Sequence, residues 1–328
     1  MNPKDLPRTW ILTLVLFSAA ASRGAGEVSA GDSEAAAPVN HPYKYDYFDN
    51  FYGVATAGAQ DVWIVGNSGR IIHSPDAGKS WSIQASNSPE TLYSASFPNA
   101  RQGWCSGTNG TILYTQDGGR TWAAQATGTK HPIFKIRFPD EQVGFACGYL
   151  GLVLKTTDGG RTWQDRSIGK DVCLRGMAFP DAAAGVIVGE FGTILRTEDG
   201  GATFAAVDSP VSVTLFDVHL GQDGSGYAVG VDGAVVRTRD GGKSWAVEEG
   251  GVKDHLVGVG GAGEVAIAVG LRGAVTIKEK EGPWVPRDVN TLSWLSGVWV
   301  NGRGGGWVVG AHGTILRLEE ILDSGKGT

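Results

Sequence analysis

The chain has 328 residues with a formal net charge of −6, of which 41% are hydrophobic and 19% charged. That apolar content excludes a disordered polymer, and the acidic balance argues against nonspecific nucleic-acid binding, so no nucleic-acid partner is expected. Fifty-one glycines and eleven tryptophans call for many tight turns with large aromatic side chains packed between sheets.

Residues 1–22 read as a secretory signal peptide. Lys4 and Arg8 precede an apolar run from Trp10 to Ala21, and the small residues Ser18 to Ser22 offer a cleavage site near Ala21. The run is shorter than a usual membrane-spanning helix, which leaves an uncleaved anchor as the alternative. No cysteine follows it to carry a lipid. Residues 23–40, rich in Ala, Gly, Ser and Glu, read as a flexible leader.

Residues 41–320 read as one repeat domain, and 321–328 as a C-terminal tail. Gly66, Gly107, Gly148, Gly189, Gly230, Gly270 and Gly310 recur at intervals of 41, 41, 41, 41, 40 and 40 residues. In the second unit, Leu92 to Phe97 alternates as an inner strand and Gly103 to Ser106 is the next. Thr108-Asn109 is expected as the hairpin loop, Thr111 to Thr115 as the third strand, and a fourth strand begins at Thr121-Trp122. A period near forty made of short apolar runs predicts an all-β fold, a seven-bladed β-propeller of four-stranded antiparallel blades. The seventh unit stops after its third strand, near Leu318. Val39 to Lys44 falls in the phase of a fourth strand before the first unit, so the N-terminal strand is expected to close the ring.

Between third and fourth strands stands Thr115-Gln116-Asp117-Gly118-Gly119-Arg120-Thr121-Trp122, repeated around Asp76 and Trp81, Asp158 and Trp163, Asp199 and Phe204, and Asp240 and Trp245. This motif resembles the Asp-box, or bacterial neuraminidase repeat. Its aspartate is expected to accept turn amides, its glycine to take a positive φ, and its aromatic to pack into the blade. The same roles account for five aspartates on the ring's periphery without a metal or catalytic set. The sixth copy, Lys278 to Trp284, keeps the aromatic and loses the aspartate.

Strand order assigns the hairpins after each repeat glycine to one face and the aspartate turns to the other. The hairpins vary most among the repeats: Tyr149, Phe191, Leu271, Arg272 and His312 are candidate partner contacts there. Lys155, Arg196, Arg237 and Arg317 share one place in their units, with His73, Tyr114 and Ile277 in the others. They are either solvated strand ends paired with acidic neighbours or an arginine patch for an acidic partner.

Three cysteines, Cys105, Cys147 and Cys173, cannot all pair, and the repeat phase points Cys105 and Cys147 to opposite sheet faces. They are expected to be small buried residues. Six scattered histidines lack metal-ligand spacing, and no nucleophile elbow or Walker loop is present. Neither a metal nor a cofactor is expected. A glycosidase would need two apposed carboxyl groups, for which Glu190 and Asp232 on adjacent hairpins are the candidates.

The repeated Val-Gly-x-x-Gly-x-Ile-x-x-Thr-x-Asp-Gly-Gly-x-Thr-Trp over residues 42–318, behind an export signal, resembles the photosystem II stability and assembly factor family of BNR-like propellers. The resemblance implies a non-enzymatic, monomeric, protein-binding assembly factor or chaperone, with a membrane-protein segment or an assembly intermediate as partner. The export signal points to a periplasmic or secreted location, which would be lumenal in a photosynthetic organism. Family members carry an arginine patch, to which Arg196, Arg237 and Arg317 could correspond, with Lys155 as a partial match. The alternative is a sialidase-like glycoside hydrolase or glycan-binding propeller, although the Arg-Ile-Pro motif of sialidases is not found early in this chain.

Overall fold

A computed structural model describes residues 48–301 and 305–323. The expected signal peptide, the leader, the closing strand at Val39 to Lys44 and residues 324–328 lie outside the described residues. Within them, seven antiparallel sheets follow one another in chain order, spanning residues 51–84, 92–124, 133–165, 174–206, 215–248, 256–286 and 295–317. Six have four strands in sequential order, and the seventh has three among the described residues. Each blade begins at its inner strand, as in Phe51–Ala57 and Leu92–Ser96, and steps outward.

The burial pattern follows from this stacking. A second strand such as Gly103–Gly107 is buried at every position, because blades cover both of its faces. The inner strand Phe51–Ala57 instead alternates buried and half-buried residues, because one edge borders the central channel. The apolar core is accordingly divided into seven clusters, one at each seam between blades. All three cysteines are buried free thiols within it.

The hairpins differ from expectation by one residue. Thr111 N–H donates to Thr108 O at 3.0 Å, so the two loop residues are Asn109 and Gly110, not Thr108 and Asn109. Both are left-handed, with φ of 55° and 68°, because a turn of that hand matches the right-handed twist of the flanking strands. Ser68, Leu150, Phe191, Asp232, Arg272 and His312 take the same place in the other blades, all with φ between 51° and 58°.

The seventh blade meets the first through the segment just before Phe51. Gly313 N–H donates to Asp49 O at 2.7 Å, the bond that Gly69 N–H makes to Glu90 O at 2.7 Å between blades 1 and 2. Asp49 and Asn50 therefore serve as the link from the last blade to the first, and Ser296 Oγ–H adds a bond to Phe51 O at 3.0 Å. At the C-terminal end, the third strand stops at Arg317 and the chain turns into a short helix, Leu318–Asp323. Leu318 and Ile321 are buried in the seam between blades 6 and 7, so residue 321, where the tail was expected to begin, belongs to the core.

Candidate functional site

The aspartate turns are structural in every copy. In blade 2, Asp117 Oδ1 accepts Thr121 N–H at 2.9 Å and Thr115 Oγ1–H at 2.9 Å, while Oδ2 accepts Thr121 Oγ1–H at 2.7 Å. Thr115 Oγ1 in turn accepts Gly119 N–H at 2.8 Å. The set recurs around Asp76, Asp158, Asp199 and Asp240. These hydrogen bonds favour the ionised form and lower Asp117, Asp158 and Asp240 from the ordinary 3.8 to about 2. The aromatic residues that close the motif differ in burial: Trp122 and Trp245 are buried, whereas Trp81 and Trp163 are half-buried.

The four cations of the third strands point across the seams toward these turns. Arg196 Nε–H donates to Gly241 O at 2.7 Å, and its guanidinium pairs with Glu198 at 2.6 Å. Arg317 donates to Ala77 O at 3.2 Å and lies over the Trp307 ring. Arg237, 9% exposed, is held by Glu281 at 2.6 Å and Glu248 at 3.2 Å. The Lys155 ammonium lies beside Gly200 of the next turn. In blades 1 and 2 the same glycine carbonyl takes an indole donor: Trp63 Nε1–H reaches Gly118 O at 3.3 Å and Trp104 Nε1–H reaches Gly159 O at 3.2 Å. Blade 4 has Val186 in that place, and Arg196, its cross-strand partner, supplies the missing N–H. Cations at this repeat position thus reach into the seams, where Arg196 and Arg237 are paired with carboxylates and Arg317 with a turn carbonyl.

The other predicted contacts lie at the opposite end of the ring, so the two groups do not form one surface. Phe191 is 66% exposed and Leu150 39% exposed at the left-handed tips, while Tyr149 is half-buried near His131. A bulky side chain at positive φ is an uncommon conformation, and these two residues hold it while facing solvent. Arg272 lies 3.9 Å from Asp254, and His312 Nδ1 is 3.0 Å from Ser293 Oγ. Glu190 accepts Cys173 N–H at 2.9 Å, and Asp232 lies 3.5 Å from His255 Nδ1, so each carboxylate binds the link behind its own hairpin.

Inside the ring of hairpins is a channel mouth that repeat comparison alone did not single out. The second residue of the first five inner strands is Tyr52, Tyr93, Phe134, Arg175 and Phe216. Trp294 stacks on Tyr52 at 5.1 Å, Tyr52 meets Tyr93 edge-on at 5.5 Å, Tyr93 meets Phe134 at 5.7 Å, and Arg175 lies over Phe134 at 4.5 Å. Burial pushes the Tyr93 phenol up to about 12, which keeps this arc uncharged except at Arg175. Leu150 escaped notice because attention went to Tyr149; the one-residue shift of the hairpin loop exchanges their exposures. The signal available for the arc was a column of aromatics at the second position of four of the seven inner strands.

Seven blades with one uniform end and one varied end define a β-propeller scaffold. A family model described as Photosynthesis system II assembly factor YCF48 matches residues 27–116, 85–166 and 120–208, together more than half of the chain. The chain belongs to that family. No curated protein matches it in sequence. Among solved structures, YCF48 bound to D1 peptide is 18% identical, covering 82% of this chain and 93% of its own, with a TM-score of 0.69. YCF48 from Cyanidioschyzon merolae is 15% identical over 82% of this chain and 95% of its own, with a TM-score of 0.69. The GH74 xyloglucanase from Xanthomonas campestris is 13% identical over 82% of this chain and 52% of its own, also with a TM-score of 0.69. At such identities the likeness is one of fold. Among the described residues no helix is long and apolar enough to cross a membrane.

Proposed function

We propose that this chain is a non-enzymatic assembly factor that holds an extended segment of a membrane-protein subunit against its hairpin face. The observation that carries the reading is the pair of exposed apolar tips, Leu150 and Phe191, beside a channel mouth lined by Tyr52, Tyr93, Phe134 and Arg175. Such an arrangement offers rigid aromatic contact area with one cation to orient a guest. Family membership supports an assembly role, and the D1 peptide bound by a structural relative supports a peptide as guest. Tyr149, Arg272 and His312 rim the same face and are its proposed polar contacts. The engagement of Glu190 and Asp232 with their own links speaks for binding over glycan cleavage.

The N-terminal sequence supports export to the periplasm or a lumen, where the protein would act as a monomer. The test is fluorescence titration with a D1 peptide, comparing the wild type with the double variant Leu150→Gly, Phe191→Gly. Affinity should fall at least about tenfold, on the order of 1.4 kcal/mol, while the melting temperature holds or rises. Unchanged affinity, or hydrolysis of xyloglucan that Glu190→Gln abolishes, would overturn the reading.

A further inference from the structure

Below the mouth, all seven inner strands line a channel cavity of about 290 Å³. Its charge is concentrated on two of them. Ile133–Arg137 of blade 3 contributes Lys135 and Arg137, and Leu215–Leu220 of blade 5 contributes Asp217 and His219. Blade 4 stands between with Gly176 and Ala178, whose small size lets side chains from blades 3 and 5 meet. Lys135 Nζ reaches Asp217 Oδ1 at 2.8 Å, and Asp217 Oδ2 accepts Val259 N–H at 3.3 Å. Both oxygens of that carboxylate are thereby engaged.

Arg137 is left over. It is exposed to the channel although the blades surround it; among the described residues its guanidinium makes neither a hydrogen bond nor a close ion pair, with Asp217 acting on it only at longer range. A guanidinium has five N–H donors and no acceptor, so its natural partner is an oxyanion. The cavity holds such a group with water to spare, since one water occupies about 30 Å³. His219 of blade 5 lines the same cavity, its imidazole close to Gly261 of blade 6.

We propose that the channel is a binding site for a small oxyanion of phosphate or carboxylate chemistry, with Arg137 as the principal donor and His219 and Lys135 flanking it. The cavity shares Tyr52 and Tyr93 with the mouth above it, but Arg137, His219 and Lys135 are not among the contacts proposed for the docked segment. Loss of bulk water lowers Arg137 against the opposing Asp217 charge, and burial together with the Arg137 charge lowers His219 to about 4. Asp217 and Asp223 oppose that second effect without cancelling it. An anion between the two would neutralise Arg137 and favour the imidazolium.

Thermal melts of the full chain at constant ionic strength, with inorganic phosphate and separately acetate replacing chloride, test the site. Binding only the folded form should raise the melting temperature by several degrees once the anion is well above its dissociation constant. The rise should appear in the wild type and in the surface variant Arg101→Gln, vanish in Arg137→Gln, and persist in part in Arg137→Lys. NMR of the His219 ring should show its pKa moving upward with the same anion, and not in Arg137→Gln. A rise with phosphate alone or acetate alone identifies the chemistry. An equal rise in wild type and Arg137→Gln would overturn the proposal, as would a wild type whose melting and His219 titration ignore both anions.

Discussion

The seams of blades 1 to 3 and those of blades 4 to 6 solve one packing problem with different side chains. In the first sector, rings stack face to face across each gap: Trp63 on Phe97 at 3.7 Å, Trp104 on Phe138 at 3.6 Å, and Phe145 on Phe179 at 3.9 Å. Two of these also donate an indole N–H to the next aspartate turn. In the second sector the face-to-face stack is gone: Val186 and Leu220 fill the seam of blades 4 and 5, Tyr227 meets Trp284 only edge-on between blades 5 and 6, and guanidinium groups of Arg196 and Arg237 tie the blades. Nothing requires a seam to be aromatic. It requires an apolar filling of the right volume and a donor for the carbonyl of the turn beyond it.

The sharpest way to break this comparison is to delete the donor in each sector. Trp104→Ala, at a fully buried site, should cost about 3 to 5 kcal/mol because stack, volume and N–H are lost together. Arg196→Ala should cost less, about 1 to 2 kcal/mol, because the Val186 filling stays and what leaves a half-buried site is one hydrogen-bond donor and an ion pair to the exposed Glu198. Urea unfolding of both variants measures the difference; an equal or larger loss for Arg196 would mean that the guanidinium carries the seam.

Acid should separate the sectors further. Asp117 and Asp158 are held at about 2 by their turn hydrogen bonds, and Glu281, in the turn of the sixth repeat, is held at about 2 by Arg237 across the seam. Folded pKa values below the unfolded ones give stability that is present above pH 4 and lost as pH falls toward 2. Acid unfolding should therefore begin below about pH 4. In Arg237→Gln the part that Glu281 contributes should be gone already at neutral pH, so its acid transition should be shallower. A profile that matches the wild type would show that the Arg237–Glu281 pair, exposed on its Glu281 side, is too well solvated to matter.

The smallest expected change in stability concerns the varied face. Phe191 has φ of 58°, a conformation that glycine adopts without strain, so Phe191→Gly should be neutral or stabilising by up to about 1 kcal/mol. Destabilisation in the same urea assay would mean that the ring packs on its neighbours and is not held out for a partner.

Period, strand number, turn chemistry and ring size were legible in the chain because each rests on local geometry repeated seven times. A glycine every forty or so residues and an aspartate four residues ahead of a Ser or Thr leave few other folds. What the third-strand cations do was not legible, since Arg196 bonds to Gly241 across a seam and no spacing within one repeat reveals that contact. The shift that exposes Leu150 in place of Tyr149 depends on the hand of the hairpin, which the twist of the assembled sheet imposes. Least visible of all was the channel: Arg137 and Asp217 are eighty residues apart, on blades separated by a third, and they share a cavity only because closing the ring turns seven inner strands toward one axis. Sequence by itself determined the repeating unit, because the unit is held by hydrogen bonds among near neighbours; tertiary structure alone decided which charges are spent between blades and which, like Arg137, are left facing the channel.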